Sequence, residues 1–317
     1  CQLRSDRGLK YNRRRCDSGC GNGIVWDMRA LLLFVLIAAP ALAQSPYENL
    51  TPEQIMARSM SEIAPGLYSF GSFGERSLVV ITDEGVIVTD PTSREHAAEM
   101  RAAIAKLTNQ PVRYLIYSHQ HWDHVLGGRI FKEEGATVIS HVRCVDHFQS
   151  RPNPELIMPD RTVDGGETIG LGGKALKLMY FGRNHGDCLL VMQLEGTDVL
   201  FVNDLVTPYS VGLGFFPDYD PGEYVRTLKE LEAMPGWSRM TGNHGIPVAP
   251  SDALNQRRRY VEALMQAVKS AMDGGQYQGE ALYDAIELPE EFQNMRGYER
   301  HRRRAAERMA YYYGMGW

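Results

Sequence analysis

Residues 118–124 read Ser118-His119-Gln120-His121-Trp122-Asp123-His124. His119, His121, Asp123 and His124 put four metal-capable side chains within six positions. Imidazole and carboxylate suit zinc, and a catalytic zinc site uses such ligands while keeping one position open for water. Three of the nine histidines of the chain fall here, directly after the apolar run Tyr114-Leu115-Ile116-Tyr117. That order reads as a buried strand delivering a loop, where functional groups gather.

The same arrangement recurs along the chain. Asp90 closes the run 86–90, His185 follows the run 175–180, Asp204 follows the run 198–202, and His244 sits in the loop 241–245. Each polar residue comes after an apolar run, so all of them could converge on one rim of a layered structure. A lone His185 or His244 would more often be a structural histidine, and Asp204 alone could cap a turn. Their joint spacing is what makes them candidates. Asp90, placed just before Pro91, could simply begin a turn.

The elements around them follow from periodicity. Residues 66–70, 77–82 and 86–90 read as strands, with a turn at Asp83-Glu84-Gly85. Residues 93–107 have helical spacing, with Ala97, Met100, Ile104 and Leu107 near one face. A strand at 112–117, a short helix at 125–134 and a strand at 137–140 come next. Residues 151–172, rich in Pro, Gly and Asp, read as turns. Strands at 175–180, 188–193 and 198–202 and a helix at 222–234 fill the second half, and helices dominate from about 252. Strand and helix alternate in two halves, which predicts two sheets packed between helix layers.

The order His-x-His-x-Asp-His, then a histidine about 60 residues on, an aspartate about 20 further and a histidine about 40 beyond, resembles the metallo-β-lactamase superfamily. The resemblance runs from about residue 62 to 247. It implies an α/β fold, an αββα sandwich with two metals at the sheet edges, here with a helical C-terminal extension. By the same resemblance His119, His121 and His185 would hold a first zinc. Asp123, His124 and His244 would hold a second, Asp204 would bridge the two, and Asp90 would orient a ligand imidazole from behind. The chemistry agrees: three imidazoles make a neutral site, and carboxylates offset the charge of a second dication. One stretch departs from the family. Many members carry His-Thr-x-Gly at the third histidine, whereas this chain has Asn184-His185-Gly186-Asp187. Asp187 could bond a ligand imidazole or cap the loop. Trp122 reads as packing below the metal loop, and His96, His141, His147 and His301 as surface or packing residues.

Composition bounds the rest. Met28-Arg29, the apolar residues 30–39 and the ending Pro40-Ala41-Leu42-Ala43 read as a signal peptide cleaved after Ala43. The apolar run is shorter than the roughly 20 residues a bilayer span needs, so no stable membrane insertion is expected after cleavage. Residues 1–27, with Cys1, Cys16 and Cys20, read as sequence upstream of the natural start. The domain layout expected is therefore 1–27 upstream, 28–43 signal peptide, 44–250 catalytic domain and 251–317 helical extension, in a periplasmic or secreted protein. Residues 44–317 carry 27 basic and 36 acidic side chains, a net charge of −9 against −5 for the whole chain. That disfavours nucleic acid as a partner and leaves a small-molecule substrate. Arg302-Arg303-Arg304, balanced by Glu299 and Glu307, reads as a solvated helix face. Cys144 and Cys188 could form one disulfide or remain two buried thiols. Tyr311-Tyr312-Tyr313 and the residues after them could pack on the domain or support a homo-oligomer.

The functional expectation is an exported zinc-dependent hydrolase with two zinc ions per chain. Asp123 and Asp204 would be its catalytic carboxylates, orienting a metal-bound hydroxide and shuttling a proton. By the resemblance, dedicated zinc β-lactamases carry cysteine or serine at the bridging position, so Asp204 favours an ester or lactone substrate. β-Lactam cleavage is the runner-up. Sulfate-ester hydrolysis and an iron-dependent oxygenase-type activity remain open. The loop 207–219, rich in aromatics and glycine, could line an apolar substrate pocket or simply cover the sheet.

Overall fold

The computed structural model describes residues 51–212, 214–242 and 244–316. The signal-peptide reading, the upstream segment with its three cysteines and the cleavage point at Ala43 lie outside the described residues. A short helix α1 (Pro52–Met56) leads into a first sheet. Its strands are β1 (Ser59–Ala64), β2 (Leu67–Ser72), β3 (Glu75–Ile81), β4 (Val86–Thr89), β5 (Val112–Ile116), β6 (Thr137–His141) and β7 (Arg161–Val163), side by side in that order. β1 to β4 pair antiparallel, and β4 to β7 pair parallel. Parallel neighbours need crossover connections, usually helical. α2 (Arg94–Ile104) supplies one, α3 (Trp122–Val125) and α4 (Arg129–Glu133) the next, and α5 (Val142–Ser150) the last.

The second sheet runs β8 (Gly166–Leu171), β9 (Lys174–Tyr180), β10 (Leu190–Leu194), β11 (Val199–Phe201), β12 (Arg239–Thr241) and β13 (Ala249–Pro250). α6 (Pro221–Ala233) links β11 to its parallel neighbour β12. α7 (Asp252–Asp273), α8 (Gly279–Asp284), α9 (Glu290–Gln293) and α10 (Tyr298–Met315) follow.

Three apolar clusters make this a four-layered α/β/β/α sandwich. Between the sheets Leu78, Val80, Ile87 and Ile116 meet Leu176, Leu178, Leu190 and Phe201. Outside the first sheet Ala97, Met100 and Ile104 of α2 cover Val86, Val88 and Leu115. Outside the second, Leu228 of α6, Tyr260 and Leu264 of α7 and Met309 of α10 cover Val191, Leu200 and Met240. β4 is buried along its whole length, as a strand covered on both faces must be.

The elements differ from the sequence expectation in a few places. The helix expected at 125–134 is two short helices broken at Gly127-Gly128. The backbone there runs against the first sheet so closely that a Cβ on Gly127 would sit 2.2 Å from the Pro91 carbonyl oxygen. The turn-rich stretch 151–172 contains β7 and β8. β1, α5 and β12 have no counterpart among the expected elements. Among the described residues no helix is long and apolar enough to cross a membrane.

Candidate metal centre

The strand ends carry the site. β5 runs into Tyr117 and Ser118, both buried, and then into His119. Asp90 follows β4 directly and accepts the Ser118 N–H on Oδ1 at 2.7 Å. The Ser118 hydroxyl lies 2.9 Å from His119 Nδ1, which leaves His119 Nε2 facing the centre. Asn203 Nδ2 donates to Asp90 Oδ2 at 3.1 Å and lies 2.8 Å from His124 Nδ1. Asp90 therefore reaches the ligand imidazoles through Ser118 and Asn203, not by direct contact. Asp90 and Asp204 both adopt left-handed backbone, φ 40° and 55°. Non-glycine residues pay for that conformation, and such strain gathers at functional sites.

Asp204 sits in the middle. Its Oδ2 lies 3.1 Å from His124 Nε2, 3.4 Å from His185 Nε2 and 3.5 Å from His119 Nε2. Its Oδ1 lies 3.5 Å from His244 Nε2. Ligand atoms of His119, His121, His185 and Asp204 all fall within 4.8 Å of one another. His121 Nδ1 and His185 Nε2 are 3.1 Å apart. Of the other three candidates His124 is fully buried, while Asp123 and His244 are more open. Asp123 Oδ2 is 3.8 Å from His124 Nε2, and its side chain is 61% exposed. His244 approaches from the far side of Asp204, its ring centroid 6.4 Å from that of His124.

Outer contacts fix the inner nitrogens, and sequence reasoning missed the residues that make them. Asp218 Oδ2 lies 2.7 Å from His121 Nε2, and Asp218 Oδ1 lies 3.4 Å from His185 Nδ1. Glu75 Oε1 lies 2.9 Å from His244 Nδ1. Next to it, the buried Arg76 donates to the Gly245 carbonyl at 2.5 Å, so consecutive residues of β3 hold the His244 loop. Neither carboxylate stands in a motif. The only signal available was that Asp218 belongs to the loop 207–219 already singled out. The turn around His185 is tied to that loop as well, because Gly186 N–H donates to the Asp218 carbonyl. Gly186 has φ 68°, and a Cβ there would lie 2.5 Å from Gln120 Nε2.

The residues fit a bound cation. His119 Nε2 and Asp204 Oδ1 are buried without a hydrogen-bond partner. Such orphaned acceptors are costly and call for an explanation. Burial drives the His119 imidazole well below its usual pKa and keeps it neutral, as a ligand must be. Burial also disfavours charge on His124, yet Asp204, Asp123 and Asp90 outweigh it and raise the imidazole to about 10. Burial would raise the Asp204 carboxyl, but the charge of His124 and the facing imidazoles of His119 and His185 hold it well below the carboxylate range. The carboxylates thus demand positive charge at the centre of the cluster.

Other residues take different places from those expected. Trp122 is not packing below the loop; it is 46% exposed and lines the grooves on either side of the turn. Asp187 binds no ligand imidazole. It pairs with His147 Nε2 at 2.6 Å, and its carbonyl accepts the Tyr180 hydroxyl. His96 is buried and bonded to Ser77, and His141 caps α5 and stacks on Tyr180. Cys144 of α5 and Cys188 form a disulfide, Cα–Cα 5.4 Å. The loop 207–219 mostly covers the core: Tyr209, Val211, Phe216 and Tyr219 are buried, and among its described residues Pro217 and Asp218 reach the groove. Arg302 pairs with Glu299 and Arg303 with Glu280 on the outer face of α10.

The sequence model of the metallo-beta-lactamase superfamily matches residues 72–237, and this chain belongs to that superfamily, whose members are mostly metal-dependent hydrolases or related enzymes. A curated relative is the 2,4-dinitroanisole O-demethylase subunit alpha of Nocardioides sp. (strain JS1661), 23% identical over 192 residues. The match covers 60% of this chain and 56% of that relative, little more than half its length. Among solved structures, the metallo-beta-lactamase from Pontibacter korlensis is similar with a TM-score of 0.57 and 20% identity. That match covers 65% of this chain and 99% of the other. The stereoselective inverting sec-alkylsulfatase Pisa1 from Pseudomonas sp. has a TM-score of 0.67 at 17% identity, over 82% of this chain and 50% of the sulfatase. These likenesses concern the fold.

Proposed function

We propose that this chain is an exported binuclear zinc hydrolase acting on an ester or lactone. The observation that carries the reading is the position of Asp204, within 3.5 Å of Nε2 on His119, His124, His185 and His244. One carboxylate in contact with imidazoles of both expected triads suits a bridge between two cations. His119, His121 and His185 would hold the first zinc, and Asp123, His124 and His244 the second. Bound zinc would supply Lewis acidity and, by lowering the pKa of water to about 7, a nucleophile at neutral pH.

The chain's own residues do the positioning. Asp218 and Ser118 hold the imidazoles of His121 and His119 in one orientation. Asp123, open to the groove, can accept a proton from a water hydrogen-bonded to it. A small-molecule substrate suits the acidic chain better than a nucleic acid. The Cys144–Cys188 disulfide supports export, since such bonds persist in oxidising compartments. A second reading, cleavage of an aryl ether, draws on the activity named for the demethylase subunit. β-Lactam cleavage is disfavoured by the aspartate at 204.

Hydrolysis of a panel holding an acyl lactone, an aryl ester, a cephalosporin, an alkyl sulfate, an aryl methyl ether and a phosphodiester tests the assignment. The lactone or the aryl ester should turn over fastest, and metal content should be close to two zinc per chain. His121→Ala and chelation should each abolish the activity. A rate that survives both overturns the metal mechanism, and one iron per chain overturns the zinc assignment.

A further inference from the structure

α5 turns a basic face toward the groove beside the metal centre. Arg143, His147 and the C-cap residue Arg151 follow at four-residue steps, which align on one side of a helix. All three line a groove of about 940 Å³ whose wall also carries His121, Asp123 and Arg183.

The charges in this groove are not balanced among themselves. Asp187 is engaged by His147 at 2.6 Å, Asp218 by His121 at 2.7 Å, and Asp123 faces His124. Arg183 has a loose approach of 3.9 Å to Asp220. Among the described residues no salt bridge engages Arg143 or Arg151. Asp187 and Asp218 are engaged by imidazoles, Asp123 is exposed at the candidate centre, and the guanidiniums of Arg143 and Arg151 carry no salt bridge.

Across the metal-binding turn the surface changes character. A second groove of about 420 Å³ is lined by Phe73, Trp122 and Leu126, with Thr92, Ser93, Glu75 and Glu95 at its margin. Phe73 is 54% exposed. Trp122 and Asp123 line both grooves, so the cationic groove and the apolar one meet at the candidate centre. Exposed apolar surface beside a reactive centre marks a binding site. α5 is also fixed in place. Its Cys144 is bonded to Cys188, and its His147 to Asp187, two residues after His185. The helix that carries Arg143 is thereby anchored to the segment following His185.

We propose that this chain selects amphiphilic anions. Arg143 and Arg151 bind an oxyanion of the substrate, carboxylate or sulfonate in type, that is remote from the bond to be cleaved. Phe73, Trp122 and Leu126 take the apolar chain, and the reacting bond lies between them at the metal centre. Guanidiniums favour such oxyanions because their N–H groups match the oxygen geometry. The inference rests on the hydrolase reading for the reacting bond, but the binding it describes can be measured without turnover.

The test uses octane-1-sulfonate, which has nothing to hydrolyse, with octan-1-ol as its neutral counterpart. Calorimetric titration into the metal-loaded protein should show the sulfonate binding about tenfold or more tightly than the alcohol. Added salt should shrink that preference. The preference should collapse in Arg143→Ala/Arg151→Ala, and Arg143→Glu/Arg151→Glu should prefer octylammonium instead. Phe73→Ala should weaken both probes. Equal affinity for sulfonate and alcohol in the unaltered protein overturns the proposal, as does a preference that survives both double variants. Binding as expected in a chain that hydrolyses no ester or lactone overturns the function proposed above and leaves this inference standing. An active esterase whose preference for 4-nitrophenyl monoesters of long dicarboxylic acids over 4-nitrophenyl octanoate is untouched by the double variants overturns this inference alone.

Discussion

Asp218 spans the outer nitrogens of two candidate ligands, 2.7 Å from His121 Nε2 and 3.4 Å from His185 Nδ1. The 2.7 Å contact fixes the tautomer and rotation of the His121 ring, so that its Nδ1 faces the candidate centre, while the 3.4 Å approach leaves His185 Nδ1 and Asp218 Oδ1 without a hydrogen bond. Asp218→Asn should therefore lower affinity for the first zinc by about 10- to 100-fold. Competition with a chromophoric chelator reads this directly. Unchanged affinity would remove Asp218 from the site.

Glu75 plays the matching part for His244, at 2.9 Å from its Nδ1. The two carboxylates serve different halves of the centre, so their loss should be separable. Glu75→Gln should reduce zinc content from two toward one per chain after dialysis against a weak chelator. Asp218→Asn should loosen the zinc that remains in Glu75→Gln. Loss of both ions together in Glu75→Gln would count against a divided site.

His96 makes stability depend on pH. Burial pushes its imidazole down to about 4, against an unfolded value near 6.5. Over that interval the unfolded chain takes up a proton that the folded chain refuses. Stability is therefore full above about pH 6.5 and falls as pH drops toward 4, by at most about 1.4 kcal/mol per pH unit. Urea unfolding at pH 7, 6 and 5 should show a shallower decline in His96→Gln than in the unaltered protein. Metal-linked proton uptake is common to both and cancels in the comparison. Equal declines would mean His96 protonates freely in the fold.

The Cys144–Cys188 bond closes a loop of 44 residues. Replacing both cysteines by serine should cost about 2–5 kcal/mol on unfolding. Peptide mapping under non-reducing conditions should recover the two as one cross-linked pair. Recovery of free thiols at both positions would contradict the bond.

His119 to His124 were legible in the sequence because their ligand types are contiguous and follow an apolar strand. Asp204, His185 and His244 became legible only through their spacing relative to that motif. Asp218 and Glu75 were not legible: a lone carboxylate acquires meaning from the imidazole it meets, and those contacts cross 97 and 169 positions of chain. The same limit left Cys144 and Cys188 open between a disulfide and two free thiols, since two residues 44 apart carry no sign of proximity. Among the elements, β4, α2, β5 and β9 followed from periodicity. β7, with three residues, was too short for any period to register. α5 went unread although its basic face borders the centre, because its charged residues mask the buried Cys144 and Phe148.

The bond from Arg76 to the Gly245 carbonyl joins residues 169 apart. Closing so long a loop costs chain entropy before any contact offsets it, so this bond is expected to form after the more local ones. The ligands from residues 119 to 204, at strand ends of the two sheets, close shorter loops. His244 arrives last, as the keystone set after the arch is built. A nascent chain released short of that residue would hold the first triad and could still capture one ion.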